Sequence, residues 1–179
     1  MGIFINRNNV IDKAQAMRKS IYETKHQAAL IFQSINNFDD TKYELMGKAW
    51  DGAREYASTV QLPILRMYIE CLGLELEACE KYSNASSKLP SFEKLDEDVI
   101  TKARERYDKA WDREFMRNHP RQTVLNYYEK KVERCNELLN YIYDFIDETS
   151  GIFSETQSRQ EELYRLHCRR YWNCLYFAL

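Results

Sequence analysis

Residues 10–38 read VIDKAQAMRKSIYETKHQAALIFQSINNF, and their spacing decides the fold class. Val10, Ala14, Met17, Ile21, Thr24, Ala28, Ile31, Ile35 and Phe38 follow one another in steps of four and three. That is the seam of a coiled-coil-like helix, sustained over four repeats with one polar slip at Thr24. At 1.5 Å per residue the helix is about 40 Å long. Asn8 or Asn9 can cap its start by accepting from free backbone N–H groups. Asn36, Asn37, Asp39 and Asp40 end it in a turn.

The same spacing recurs further along. One stripe runs through Ala53, Ala57, Val60, Ile64, Met67, Cys71, Leu74 and Ala78, and a second through Leu62, Leu65, Ile69, Leu72, Leu76 and Cys79. Two stripes on one helix, Ala49 to Tyr82, mean cover on two sides. The first helix suits the Ala53–Ala78 stripe, which leaves Leu62, Leu65, Ile69, Leu72 and Leu76 as candidates for binding a partner. Pro63 removes a backbone N–H and crowds the carbonyl four residues back, so a kink is expected between Thr59 and Leu62. "SNASSKLPS", residues 83–91, reads as a loop. Asp96, Glu97 and Asp98 then crowd a helix start, where the helix dipole favours negative charge. "NHPR" at 118–121 breaks that helix. Leu125, Tyr128, Val132, Cys135, Leu139, Ile142, Ile146 and Thr149 restore the three-four spacing without a miss. Gly151 suits the left-handed position after the helix end. A last helical stretch runs from Glu155 to Leu179, and nothing reads as a confident strand. The expected fold is all-α, an elongated antiparallel bundle of long helices.

Composition narrows the function. Of 179 residues, 26 are basic and 28 acidic, for a net charge of -2. No clustered basic face points to nucleic acid or to a membrane anchor. There is no transmembrane run and no signal peptide at Met1, so the chain is expected to start in the cytosol and to avoid the general secretory route. Five cysteines, with no CxxC pair, suit small buried hydrophobes better than a disulfide framework. His167, Cys168 and Cys174 could form part of a metal site, but no second cluster has ligand spacing. Only Glu23-x-x-His26 fits the di-iron pattern, which needs two such motifs. No phosphate loop or catalytic constellation appears. No cofactor, no metal and no enzymatic activity are expected.

One corner stands out. "KYELMGKAWDGAREYA", residues 42–57, holds two of the five glycines, with Trp50 between them. Gly47 permits a positive φ, Gly52 permits a close approach, and Trp50 offers a ring to the end of a helical hairpin turning between Leu45 and Gly52. An ordinary helix–turn–helix corner would use them in the same way.

The order of these features resembles the LXG domain, the N-terminal targeting region of polymorphic toxins exported by type VII secretion systems of Gram-positive bacteria. The residues that carry it are Met1-Gly2-Ile3 before the long helix, Leu45-x-Gly47 with Ala49, Tyr56, the proline-containing helix "QLPILRMYIECLGLELEACEKY", the polar loop, and "LDEDVI" at 95–100. Trp50-Asp51-Gly52 is similar to the W-x-G turn of the small helical-hairpin proteins that use the same systems. The resemblance implies a single non-catalytic domain over 1–179, with a hairpin in 1–84 and further helices in 92–179. It implies binding to small helical WXG-like partners, recognition by the type VII machinery, and secretion from the cytoplasm without a signal peptide. The chain leaves no room for a toxin domain, and no nucleic acid or membrane insertion is implied. A coiled-coil adaptor unrelated to secretion is the alternative. Phe92-x-x-x-Asp96 and Tyr143-x-x-x-Asp147 resemble aromatic–acid export signals. A helix-entry staple with Asp96 as cap, and an exposed face position for Tyr143, are the plainer and preferred roles.

Overall fold

The computed structural model describes the backbone of residues 2–40, 47–91 and 94–177, and the side chains of 2–38, 47–91 and 94–166. Among the described residues the fold is all-α, built on long helices with little strand. Two-residue strand β1 (Phe4–Ile5) leads into α1 (Arg7–Asp40), followed by α2 (Lys48–Tyr56) and α3 (Leu62–Lys88). Strand β2 (Leu95–Asp96) then opens α4 (Glu97–Phe115), and α5 (Gln122–Thr149) and α6 (Ser154–Phe177) complete the order. The chain forms two compact units, Met1–Ala14 with Tyr82–Ser150 and Gln15–Lys81 with Gly151–Leu179.

The first unit is built on the α4–α5 hairpin. Arg104 Nη1 donates to Asn136 Oδ1 at 3.4 Å and Tyr143 Oη to Glu97 Oε1 at 2.7 Å, so the two helices run antiparallel. Of the α5 seam, Leu125, Cys135, Leu139 and Ile142 are buried, Ile142 completely, whereas Ile146 is exposed and Phe145, outside the seam, is buried. Leu139, Ile142 and Phe145 share a core with Ile5, Ala85, Leu89 and Leu95. Phe145 meets the Tyr82 ring edge-on, with centroids 5.8 Å apart.

Three sequence expectations need correction here. Residues 83–88 are helix, not loop. Ser86 Oγ donates to Tyr82 O at 2.7 Å and Ser87 Oγ to Asn84 O at 2.7 Å, so these serines satisfy themselves within the helix. Ala85 and Ser86 are then small enough to be buried. The cap of α1 is Asn6, two to three residues earlier than expected, its Oδ1 accepting from Asn9 N–H at 3.1 Å. The strand missing from the sequence reading is β1, paired antiparallel to β2 with Phe4 opposite Asp96 and Ile5 opposite Leu95. Two residues are too few to show alternation in a sequence.

The second unit packs α1 against α3. Lys25 lies beside Gly73, and the Arg66 guanidinium stands 5.9 Å over the Phe32 ring. Numbers rise along one helix as they fall along the other, so the pair is antiparallel. Ile21 and Ala28 of α1 bury with Leu72 and Cys79 of α3, and Ile69, Leu76 and Phe153 pack around them. Helix α1 therefore covers the Leu72–Cys79 stripe and not the Ala53–Ala78 stripe assigned to it from spacing. The other stripe turns Met67, Cys71 and Leu74 toward Glu155 and Arg159 of α6. Gln160 Nε2 of α6 donates to Glu75 Oε1. Cys71, Cys79 and Cys135 are free, buried thiols, and burial is the main cause raising each above its ordinary pKa.

Pro63 acts where expected, but in a different form. A π-turn spans Ala57–Gln61, and Leu62 N–H donates to Ala57 O, five residues back. The proline cannot donate to the carbonyl of Thr59, and the turn before it widens. Gly151 has φ +75°, the left-handed conformation expected after α5.

Candidate functional site

The α1 seam is half closed. Ala14, Ile21 and Ala28, seven residues apart, are buried. Met17 and Ile31, from the same seam, are 45% and 51% exposed. A continuous three-four seam predicts that both rows are covered. Among the described residues the Ala14–Ile21–Ala28 row is covered, with Leu72 and Cys79 of α3 packed on Ile21 and Ala28. Leu30, next to Ile31, is also exposed.

The α1–α2 corner lies on the same unit. Leu45 lies outside the described residues. Gly47 stands at the N-cap of α2 with φ 121° and ψ 158°, a conformation open almost only to glycine. Its carbonyl accepts from Trp50 N–H at 2.9 Å and from Asp51 N–H at 3.0 Å. Trp50 is partly exposed, its ring tilted against Phe38 with centroids 6.0 Å apart. Asp51 accepts from the buried Arg54 guanidinium at 2.5 Å. A Cβ on Gly52 would meet nothing within 4 Å, so no part of the described chain makes the close approach expected there.

Of the partner-binding candidates, Leu72 is buried, while Leu62, Leu65, Ile69 and Leu76 are half-buried. Leu72, with Ile69 and Leu76 beside it, faces α1.

In the first unit, sequence candidates far apart in the chain meet at one helix start. Phe92 lies outside the described residues. Asp96 is the N-cap of α4, its Oδ1 accepting from Val99 N–H at 3.0 Å. Glu97 accepts Ile3 N–H on Oε2 at 2.9 Å and Tyr143 Oη on Oε1. Glu97 N–H donates back to Ile3 O at 2.9 Å, and Gly2 N–H donates to Asp98 Oδ2 at 3.2 Å. The bond from Ile3, followed by that from Tyr143, holds the Glu97 carboxyl below the usual carboxylate range. The same carboxylate pushes the Tyr143 hydroxyl up. Asp147, one turn beyond Tyr143, is exposed. An open cleft of about 650 Å³ adjoins this clasp, with Lys102, Arg104 and Glu105 on one wall and Asn136 and Asn140 on the other. Two of its three carboxylates, Glu97 and Asp98, are already engaged by the N-terminal segment. The sequence reading did not find Glu97 or Ile3 as partners; the acidic run at 96–98 was the available signal.

Among the described residues, no group of three or more His, Cys, Asp or Glu is placed to hold a metal ion. His167, Cys168 and Cys174 lie outside the described side chains. Comparison with protein-family models, curated proteins and solved structures finds no match for this chain.

Proposed function

We propose that the chain is a non-catalytic targeting domain of a type VII secreted toxin. In this reading it binds small helical WXG-like proteins in the cytoplasm, and the complex is what the secretion machinery recognises and exports. The observation that carries the proposal is the half-closed α1 seam. Met17 and Ile31 extend a coiled-coil pattern that α3 does not cover, and a helix is the partner whose side chains interdigitate with such a row. The exposed Trp50 ring and the open space at Gly52 extend that surface around the corner. The resemblance to LXG domains supports the link to export.

The test is co-expression of the chain with the small helical-hairpin proteins encoded beside it. Wild type should co-purify with them. Met17→Glu with Ile31→Glu should remain helical and purify alone, because both positions are exposed. A variant that still retains the partners would place the interface elsewhere. A wild type that retains none, and whose release into the medium does not depend on a type VII system, would leave the adaptor reading.

A further inference from the structure

Met17 and Ile31 belong to a longer strip. Met17, Ser20, Thr24, Gln27, Ile31 and Ser34 follow one another in steps of three and four and end on Phe38. They therefore line one face of α1, about 32 Å from end to end. All are exposed except Thr24 and Phe38, which are half-buried. None is ionisable. The exposed ionisable residues of the same stretch, Arg18, Lys19, Glu23 and His26, stand outside the strip. A helix face turned to water carries charge, whereas the centre of an interface is depleted of it. At the far end Phe38 meets the ring of Trp50, so the strip runs into the exposed corner.

Most of its polar groups can be covered at little cost. Thr24 Oγ1 donates to Ser20 O at 2.9 Å and Ser34 Oγ to Leu30 O at 3.0 Å, so both hydroxyl protons are already placed within the helix. Gln27 differs. It stands midway between Met17 and Phe38, and its amide offers two donor protons and an acceptor oxygen that must be matched once water is excluded. The strip is thus apolar towards both ends and demanding at one point between them. A single buried polar side chain in such a seam fixes register, because sliding the partner by one heptad sets it against an apolar group.

The pattern also disfavours a second copy of this chain. Two copies paired over the full strip, parallel or antiparallel, would set serine on serine at Ser20 and Ser34 and leave gaps at both layers. A helix of different sequence can fill both with larger apolar side chains.

We infer that the partner is a helix of different sequence that lies along Met17–Phe38 and places a hydrogen-bonding side chain opposite Gln27, which fixes its register. This rests on the helix-binding reading above and names what that face selects.

The test is titration of the full chain with the small helical-hairpin proteins encoded beside it. Gln27→Leu should stay helical and lose affinity about fivefold or more, the loss expected for leaving a buried polar group on the partner unmatched. Thr24→Val should stay within about twofold, because that hydroxyl is satisfied within its own helix. Equal or tighter binding by Gln27→Leu would overturn the inference, since a strip that was only apolar should gain from the leucine. A larger loss in Thr24→Val than in Gln27→Leu would overturn the assignment to Gln27. Met17→Glu with Ile31→Glu separates this inference from the reading beneath it. If that pair still binds, the face itself is wrong and both fail. If the pair loses binding and Gln27→Leu does not, the face stands and the register device alone fails. A wild type that binds none of these proteins, or one that is dimeric alone in light scattering and is made monomeric by the same pair, would also overturn it.

Discussion

Ile3 and Tyr143, 140 residues apart in the chain, hold the two oxygens of one carboxylate, Glu97. The Ile3 amide takes one oxygen at 2.9 Å and the Tyr143 hydroxyl the other at 2.7 Å. The N-terminal segment is thereby tied to the start of α4 and to the last quarter of α5. Tyr143→Phe removes one of the two donors. The Ile3 amide should then exchange with solvent measurably faster, while the core Ile142 amide keeps its protection. Unchanged exchange at Ile3 would show that β1–β2 pairing alone retains the segment.

Acid should act through two carboxylates. Glu97 and Glu114 are both held below the usual range, Glu114 mainly by the hydrogen bond from the Arg121 side chain. A depressed folded value means that the stabilising contribution is complete above the unfolded value, about 4.3 for Glu. It is lost as pH falls through the folded value. Denaturant midpoints measured from pH 6 downwards should fall below that point. In Glu114→Gln the midpoint should be lower at neutral pH and the acid slope shallower. An unaltered slope would remove Glu114 from the account.

Leu72 is a core residue. Leu72→Ala should cost about 2–5 kcal/mol in urea unfolding, the usual range for emptying a buried leucine site. Ile69→Glu with Leu72→Glu should unfold the second unit, whereas Met17→Glu with Ile31→Glu should not. Circular dichroism separates the two pairs. A well-folded Ile69/Leu72 variant would mean that α3 faces outward there.

The two glycines at the corner should respond with opposite signs. Gly47→Ala forces a side chain into a conformation worth about 1–3 kcal/mol of strain. Gly52→Ala adds a methyl group to open space inside a helix, and should stabilise by about 0.4–1 kcal/mol. If Gly52 also serves partner approach, the same alanine should weaken the complex while strengthening the fold.

Much of this architecture was legible from spacing alone. The α5 seam is buried in its first three-quarters at Leu125, Cys135, Leu139 and Ile142, but near its end Phe145 replaces Ile146, because α5 also packs against Ile5, Ala85, Leu89 and Leu95. Gly47 and Gly151 have the positive φ their positions suggested. The α1 seam was legible as a helix but not as half-covered, since the period of a stripe says nothing of where its neighbour ends. Residues 83–88 misled because serine favours loops on average; here Ser86 and Ser87 return their hydroxyls to the helix. Asp96 read correctly as a cap, but the role of Glu97 depends on a strand of two residues and a tyrosine 46 positions away.

The π-turn at Ala57–Gln61 has a geometric consequence. A five-residue hydrogen-bonded turn holds one residue more than its neighbours, and one residue is about 100° of azimuth in an α-helix. Helices α2 and α3 thus follow one another without a break but differ in phase. The direction in which Trp50 points is uncoupled from the direction in which Leu72 enters the core. Deleting a single residue from 57–61 would leave both helices intact and swing the tryptophan about a quarter-turn around the axis. The turn is therefore a rotary joint set at a fixed angle, and its length aims the corner.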